Sequence, residues 1–207
     1  MSRLRVINLG LPKSGTTTLG VALRRAGLSV ADHRIRPRKT DDPALRGAFV
    51  GDLLYRGYFE TGDPLALLDG FDAVAECSFL TPGRSAWPQM DFGLIAAIRA
   101  HHPGARFVAT RRDPGALAAS MEKWTNMRQR LDQGQIPGLP RGYGAEAAAR
   151  ERWIAGHYAH LGHLYGGDDA VLMLDVEAGD APRRLSGFLG IDIPWWGRAN
   201  ANPEGAA

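Results

Sequence analysis

The chain has 207 residues, a formal net charge of +3 and a sequence pI near 9.3. This length suits one α/β domain with a buried core, and a mild positive charge without any Lys/Arg block favours a small anionic ligand over nucleic acid. Cys77 is the only cysteine, which excludes an intrachain disulfide. Neither a signal-peptide pattern nor an apolar run of about 20 residues is found, so we expect a cytoplasmic protein without a membrane span.

Segments typical of strands alternate with segments typical of helices along the chain. Short apolar runs predict strands at residues 6–9, 28–31, 71–77, 105–110 and 170–175. Helical spacing predicts helices at residues 16–26, 52–69, 89–101, 113–131, 145–165 and 182–189, the second interrupted by Gly57 and by residues 62–64. Loops are expected at residues 34–51, 78–88 and 132–144. The alternation predicts one α/β domain over residues 1–207, with a central five-stranded parallel sheet flanked by helices.

The stretch from residue 5 to residue 23 predicts an anion-binding site. A buried strand, a Gly/Pro/Ser loop at residues 10–15 and a helix from Thr16 follow one another. Loop amides can point inward in such a unit, and the helix N-terminus adds about half a positive charge. The spacing departs from the loop of nucleotide triphosphatases, because Thr16 stands where their lysine follows the second glycine and the lysine is Lys13, inside the loop.

One segment resembles the 5′-phosphosulfate loop of sulfotransferases that use PAPS (3′-phosphoadenosine 5′-phosphosulfate): Leu11-Pro12-Lys13-Ser14-Gly15-Thr16-Thr17. The resemblance implies a P-loop-like fold in which Lys13 meets the charge that develops on the bridging oxygen. It also implies that the donor is held by Lys13, Ser14, Gly15, Thr16 and Thr17.

A second segment, Thr110-Arg111-Arg112-Asp113-Pro114, resembles the 3′-phosphate signature of the same family. There an arginine and a serine eight residues later hold the phosphate, which implies this role for Arg112 and Ser120. Arg111 is the ambiguous neighbour of Arg112. Asp113 and Pro114 predict the N-cap and the first position of the next helix.

The tail from Pro194 to Asn200 also looks like the family. In many relatives a basic C-terminal loop closes over the 3′-phosphate, and the resemblance implies this role for Arg198. Trp195 and Trp196 are candidates for stacking on adenine or on an acceptor, or for a hydrophobic plug after the last helix.

Three side chains are candidates for the general base, each at the end of a predicted strand. His33 comes first, because its ordinary pKa near 6.5 needs no shift at neutral pH. Glu76 needs a raised pKa, or it orients another group, and Asp32 is the third alternative. The resemblance implies a histidine or glutamate base at the cleft, but the family's usual histidine after the third strand is replaced by Cys77-Ser78-Phe79.

Three histidines lie three residues apart on one predicted helix: His157, His160 and His163. No cysteine or carboxylate accompanies them in a metal-binding spacing, so we expect no metal site there. A relative's histidine at the position of His157 lines the acceptor cleft, and the resemblance keeps that residue as a candidate.

The resemblance implies a sulfotransferase that moves the sulfuryl group from PAPS to a hydroxyl or amine of a small-molecule or glycan acceptor. Adenosine 3′,5′-bisphosphate (PAP) leaves, and no metal is needed. Two alternatives stay open: a kinase of small molecules or nucleotides, which requires Mg²⁺, and a non-catalytic nucleotide sensor. The loops expected to hold the acceptor, at residues 34–60 and 132–144, do not reveal its identity, and the oligomeric state is left open.

Overall fold

This computed structural model describes residues 3–199, which build a parallel sheet with helices on both faces. The strands are β1 (Val6–Asn8), β2 (Val30–Asp32), β3 (Ala73–Glu76), β4 (Phe79–Thr81), β5 (Arg84–Ala86), β6 (Arg106–Arg111) and β7 (Val171–Asp175). The helices are α1 (Thr16–Arg25), α2 (Val50–Thr61), α3 (Phe92–His101), α4 (Pro114–Glu122), α5 (Met127–Gln133), α6 (Ala147–Tyr165) and α7 (Ala181–Leu189). Short 3₁₀ turns cover Pro37–Lys39, Ala66–Leu68 and Pro88–Met90.

Five strands form the main sheet in the order β2-β3-β1-β6-β7, and every neighbouring pair is parallel. The prediction of a five-stranded parallel sheet flanked by helices is confirmed. β1 is the central strand, since it pairs with β3 on one side and with β6 on the other. All five carboxyl ends therefore meet at one edge, beside the loop that follows β1.

Neighbouring residues of β1 belong to two different apolar cores, because strand side chains alternate between the faces of a sheet. Ile7 packs in the larger core, which includes buried residues of α2 to α6, and Val6 packs in the smaller core with α1 and α7. Leu19 and Leu23 of α1 are fully buried in that smaller core. Both faces are thus covered, which explains why the strands read as continuous apolar runs.

The loop predicted at residues 78–88 contains a two-stranded antiparallel hairpin, β4–β5. Thr81 pairs with Arg84, so Pro82 and Gly83 form a two-residue turn. Gly83 has a φ of 77°, in the left-handed region that this turn requires at its second position. The prediction of an irregular loop is therefore wrong, although the Pro-Gly pair was the signal for a turn.

Two helix predictions need correction as well. The helix predicted to run from residue 113 to residue 131 is two helices, α4 and α5, separated where Thr125 has a φ of 44°. Gly57 does not interrupt α2. A Cβ at Gly57 would lie 2.6 Å from the carbonyl oxygen of Asp63, so glycine lets the chain after α2 pack closely against it. The predicted cap of α4 is confirmed, since Asp113 accepts a hydrogen bond from the N–H of Ala116 at 2.9 Å.

The buried side chain of Asn8 joins the three central strands. Its Nδ2 donates to the carbonyl oxygen of Ala75 in β3 at 2.7 Å. Its Oδ1 accepts from the N–H of Gly10 at 3.0 Å and from Thr110 of β6 through both N and Oγ1, each at 3.2 Å. One amide thus fixes the point at which the chain leaves β1 relative to both neighbouring strands.

We predict that Asn8→Ala lowers the free energy of unfolding by about 2–4 kcal/mol, because it leaves buried N–H groups of Gly10 and Thr110 without their acceptor. Urea denaturation measures this loss. Asn126→Ala is the matched control, since Asn126 is exposed and its side chain makes no capping bond to α5. A loss for Asn8→Ala no larger than that of the control would contradict the role of Asn8.

Candidate functional site

A cleft of about 1290 Å³ opens at the carboxyl edge of the sheet, beside the glycine loop (residues 10–15). Its walls come from the segments that follow all five strands of the main sheet, from α4 and α5, and from residues 196–199. The predicted site residues that line it are Lys13, Gly15, Thr16, Thr17, Asp32, His33, Glu76, Arg112, Ser120 and Arg198. One cavity therefore brings together the loop, the residues predicted for the 3′-phosphate and all three candidate bases.

Close contacts that only glycine allows hold the glycine loop in place. A Cβ on Gly10 would lie 2.1 Å from Thr110 Oγ1 and 2.5 Å from the carbonyl oxygen of Thr110. Gly15 has a φ of 105°, and a Cβ there would lie 2.7 Å from the side chain of Val176. The loop is therefore packed tightly between the ends of β6 and β7, with its amides next to the cleft.

Ser14 contributes to this packing and not to the surface of the cleft. It is fully buried, and its hydroxyl hydrogen-bonds Thr110 Oγ1 at 2.8 Å. Its N–H donates to the carbonyl oxygen of Leu11 at 3.1 Å. The next N–H groups, those of residues 15–18, lie at the start of α1, where helix geometry leaves them without intrahelical partners. These groups, together with the positive end of the helix dipole, are the part of the loop that is suited to bind an anion.

Two neighbouring side chains of α6 support the glycine loop from below. The Nε2–H of His157 donates to the carbonyl oxygen of Leu9 at 2.9 Å, which assigns the proton of the neutral ring to Nε2. The hydroxyl of Tyr158 donates to the carbonyl oxygen of Thr110 at 2.8 Å and accepts from the N–H of Leu11 at 3.3 Å. Burial lowers the pKa of His157 to about 4, so the ring stays neutral at pH 7. His157 therefore supports the loop and does not line the cleft.

Lys13 places a cation in the cleft from an uncommon backbone conformation. Its φ of 69° lies in the left-handed region. Its Nζ lies 5.3 Å from the centroid of the Trp124 ring. Partial burial, and after it the charge of Arg112, lower the pKa of Lys13. Since two positive groups face each other here, an anionic ligand between them would remove an unfavourable interaction.

Arg112 lines the cleft where β6 ends, and Ser120 lines it from α4. Arg112 Nε and Nη2 both donate to Glu177 Oε1, at 3.0 and 2.6 Å. A carboxylate thus occupies the edge of the guanidinium that can hold a phosphate with two hydrogen bonds. Arg111 is exposed and does not line the cleft, so of the two arginines only Arg112 is placed for a ligand there.

Residues 196–199 form one rim of the cleft and are tied to the sheet and to α1. Thr18 Oγ1 donates to the carbonyl oxygen of Gly197 at 3.0 Å. Trp196 Nε1 donates to the carbonyl oxygen of Val176, directly after β7, at 3.2 Å. This rim therefore lies against the N-terminal turn of α1, where the anion-binding amides are.

The predicted residues of the tail have different surroundings. Arg198 and Trp196 line the cleft. Trp195 does not, because it packs against Arg25, whose guanidinium carbon lies 4.9 Å from the ring centroid. Trp195 thus matches the hydrophobic plug and not the stacking role. Asn200, the last residue of the tail motif, lies outside the described residues.

Ser78 orients two of the three candidate bases. Its N–H and its hydroxyl donate to Glu76 Oε1 at 3.1 and 2.6 Å. Its carbonyl oxygen lies 3.2 Å from His33 Nδ1. A carbonyl oxygen can only accept, so Nδ1 carries the proton of neutral His33 and Nε2 keeps its lone pair. Both Ser78 hydrogen bonds to Glu76 end on Oε1, so neither of them occupies Oε2.

The environment of Glu76 changes its acidity. The residue is buried, and burial raises the pKa of its carboxyl group to about 7, although the two Ser78 bonds oppose the shift. The neighbouring Asp32 raises this pKa further and the Thr16 hydroxyl lowers it. A carboxylate that binds a proton near neutral pH is suited to general-base chemistry at that pH.

Asp32, the third candidate, is the last residue of β2. The prediction had placed it directly after the strand. Its Oδ2 lies 3.7 Å from Nη1 of Arg24, on α1. The carboxylate of Asp32 is therefore already engaged by a cation of α1.

The loop at residues 132–144 does not contribute to the cleft. Pro137, Leu139 and Tyr143 line a separate cavity of about 530 Å³, which also includes residues of α3 and α6. His157 lines this second cavity too. The expectation that residues 132–144 hold an acceptor in the cleft is therefore not supported by their position.

The comparison with protein families agrees with this geometry. A family model described as a sulfotransferase domain matches residues 5–143, a span that contains the glycine loop, Glu76, Arg112 and Ser120. The chain belongs to the sulfotransferase family. Membership supports a transferase that moves sulfuryl groups. No curated protein matches the chain.

Two further observations concern residues 3–199 of this sulfotransferase domain. None of their helices combines the length and the apolar character that crossing a membrane requires. Nor do these residues contain a group of three or more His, Cys, Asp or Glu side chains placed to hold a metal ion.

Sequence reasoning missed three residues that shape the sulfotransferase cleft. Trp124 lies at the break between α4 and α5, and Glu177 pairs with Arg112 across the ends of two strands. Asn8 organises the loop from inside the sheet. A polar residue inside an apolar strand was a usable signal for Asn8, whereas the positions of Trp124 and Glu177 depend on tertiary structure alone.

We predict that Glu76→Gln changes how stability depends on pH. The folded state raises the pKa of Glu76 from 4.5 to about 7, so the folded protein keeps a proton that the unfolded chain releases, and this group destabilises the fold as pH rises from about 4.5 to 7. Relative to wild type, Glu76→Gln should gain on the order of 2–3 kcal/mol in unfolding free energy between pH 5 and pH 8. Denaturant titrations at both pH values measure the gain. A difference between the proteins that does not change with pH would contradict the raised pKa.

Proposed function

We propose that this protein transfers the sulfuryl group of PAPS to an acceptor hydroxyl or amine and releases PAP. The observation that carries the proposal is the meeting of Lys13 and Arg112 beside a glycine loop whose helix amides face the same cleft. This arrangement suits a ligand that carries negative charge at two points. Family membership supports the reaction type, and this charge arrangement supports PAPS as the donor.

The residues present fit such a donor. Gly10 and Gly15 let the loop pack tightly against Thr110 and Val176, since a Cβ at either position would clash there, and this packing holds the loop amides beside the cleft. Lys13 and the N–H groups of residues 15–17 would hold the 5′-phosphosulfate. Arg112, Ser120 and Arg198 would hold the 3′-phosphate, which would replace the Glu177 carboxylate on Arg112.

PAPS supplies the sulfuryl group when it is bound. The chain's own residues accept the proton of the acceptor and stabilise the developing negative charge. The acceptor O–H or N–H bond breaks and its proton moves to Oε2 of Glu76. The new bond forms between the acceptor atom and sulfur, while the bond from sulfur to the bridging oxygen breaks and its electron pair stays on PAP. Lys13 and the helix amides stabilise the negative charge that grows on the bridging and sulfuryl oxygens.

We assign the base to Glu76 rather than to His33. Glu76 lies beside Thr16 at the start of α1, next to the amides that would face the sulfuryl group. His33 is exposed directly after the edge strand β2, and the lone pair of its Nε2 would bind the acceptor. The order of the strands supports this division, because β3 is adjacent to β1 and β2 is one strand further away.

A kinase with a variant loop is less well supported. The family model describes a sulfotransferase domain. Lys13 lies inside the loop, and Thr16 takes the place of the lysine that would reach the terminal phosphates of ATP. A non-catalytic sensor is also less well supported, because nucleotide binding alone does not require a buried carboxyl group and an oriented histidine in the cleft.

Arg112→Ala should weaken the binding of PAP by about 1.5–3 kcal/mol, since a charge-assisted contact to the 3′-phosphate is lost. Binding of adenosine 5′-phosphosulfate, which lacks that phosphate, should change little. Calorimetric titration of both ligands measures the difference. Arg111→Ala is the matched control, because Arg111 is exposed outside the cleft. Equal losses for both ligands would remove Arg112 from this role.

The reaction itself is tested by PAP release from PAPS with a panel of hydroxyl and amine compounds. Glu76→Gln should lower kcat about 10²–10⁴-fold and leave PAP affinity nearly unchanged, because a base acts on the acceptor. His33→Ala should be milder and act mainly on the KM of the acceptor. Lys13→Ala should lose turnover in every case. An inactive His33→Ala with an active Glu76→Gln would reverse the two assignments, and full activity in both would place the base elsewhere.

A further inference from the structure

The cleft has two ends that differ in the residues that line them. One end contains the glycine loop, Arg112 and residues 196–199, which the proposed donor would occupy. The other end lies beyond Glu76 and His33. Its walls are buried apolar side chains from β4, from the segment before α3 and from α5: Phe79, Leu80, Trp87 and Met127. This second end therefore offers a site for an apolar, ring-sized body.

The charges along the cleft do not balance. Within the described residues its lining includes six basic side chains, Lys13, Arg36, Arg112, Lys123, Arg130 and Arg198, and three acidic ones, Asp32, Glu76 and Glu177. Two of the acids already pair with arginines, and the third is the buried Glu76. The phosphates of the proposed donor would face Lys13, Arg112 and Arg198, whereas Arg130 of α5 lies beside Leu80, one of the apolar walls.

Arg130 is a half-buried cation without an ionic partner among the described residues. Its Nη1 donates to the carbonyl oxygen of Leu80 at 2.7 Å, and its guanidinium carbon lies 5.5 Å from the centroid of the Trp124 ring. No carboxylate within residues 3–199 comes within 4.0 Å of it. Burying a guanidinium part-way without a counter-charge is unfavourable, and an anion supplied by a ligand would offset this cost.

The contacts of Trp124 also limit the distance between the charges of Lys13 and Arg130. Lys13 Nζ lies 5.3 Å from the same ring centroid, so Lys13 Nζ and the guanidinium carbon of Arg130 are at most about 11 Å apart. Lys13 marks the position of the sulfuryl group in the proposed reaction. An acceptor that reaches both points therefore places its hydroxyl about one aromatic ring and a short chain away from its anionic group.

We propose that the acceptor is a small phenol that carries a carboxylate or similar anionic group. Arg130 binds the anionic group while the ring packs against Leu80, Trp87 and Met127. This inference rests on the proposed function, because the sulfuryl-transfer site defines which end of the molecule reacts. It selects against neutral and cationic phenols, and against extended glycans whose anionic groups lie farther from the reacting hydroxyl.

The test uses a matched set of ligands: 3-(4-hydroxyphenyl)propionate, its methyl ester, and tyramine. Their binding to the PAP-saturated protein is measured by calorimetry, where no turnover is possible. The acid should bind about tenfold more tightly than the ester, which is the order expected for one charge-assisted contact, and tyramine should bind least. With PAPS, kcat/KM should follow the same order.

Arg130→Gln should bring the affinities for the acid and the ester within about threefold of each other, by weakening the acid and not the ester. Arg128→Gln is the matched control on α5, since Arg128 is exposed, lies outside the cleft and donates to the carbonyl oxygen of Ala145. It should keep the full preference. The comparison of acid and ester on the wild-type protein does not depend on whether Arg130→Gln folds.

Equal or tighter binding of the ester by wild type would overturn the inference, and so would an unchanged preference in folded Arg130→Gln. The absence of binding by all three phenols to a protein that binds PAP would also overturn it, and would leave the proposed function standing. If PAP itself does not bind, the proposed function fails. The same acid and ester titrated without PAP would then still test the anion site at Arg130.

Discussion

The close packing of Gly10 against Thr110 is the constraint on which the cleft depends. No side chain fits between them, so the chain leaving β1 must turn directly over the end of β6. Asn8 fixes the same contact from within the sheet, and Tyr158 fixes it from α6. The amides of the loop and the side chain of Lys13 are thus held by the most buried part of the fold. An anion site built in this way needs little reorganisation when the ligand binds.

The order of the strands arranges the cleft from one end to the other. β6 and β7 lie on one side of β1 and provide Arg112 and Glu177, whereas β3 and β2 lie on the other side and provide Glu76 and His33. The central loop lies between these two groups. In the proposed reaction, a donor bound on the first side presents its reacting end toward the second, where the buried carboxyl group of Glu76 would accept a proton. The topology would thus separate the proposed nucleotide site from the proposed acceptor site.

Much of this fold could be predicted from the sequence because its signals are local. Apolar runs identified the five parallel strands, and the Asp113-Pro114 pair identified the start of α4. The hairpin at residues 79–86 was missed because its strands are three residues long, too short for a period-two pattern. The single helix expected up to residue 131 was wrong because nothing in its periodicity reveals the positive φ of Thr125.

The site was predictable only in part, because only some of its residues belong to local sequence motifs. Lys13 and Arg112 belong to contiguous motifs, so their neighbours in sequence identify them. Glu177 and Trp124 act on those two residues across gaps of 65 and 111 positions, and only the strand order and the break after α4 bring them together. Ser14 shows the opposite case, since it stands inside the motif but its hydroxyl faces Thr110 and not the cleft.

In the function proposed above, the cleft holds a nucleotide with a 3′-phosphate, bound by the glycine loop and Arg112 without a metal. Calorimetric titration of PAP in the presence of a chelator tests this most directly, beside a titration of ATP with Mg²⁺. We expect saturable one-to-one binding of PAP that excess Mg²⁺ does not strengthen, and much weaker binding of ATP. Tight binding of ATP with Mg²⁺, together with no measurable binding of PAP, would contradict it.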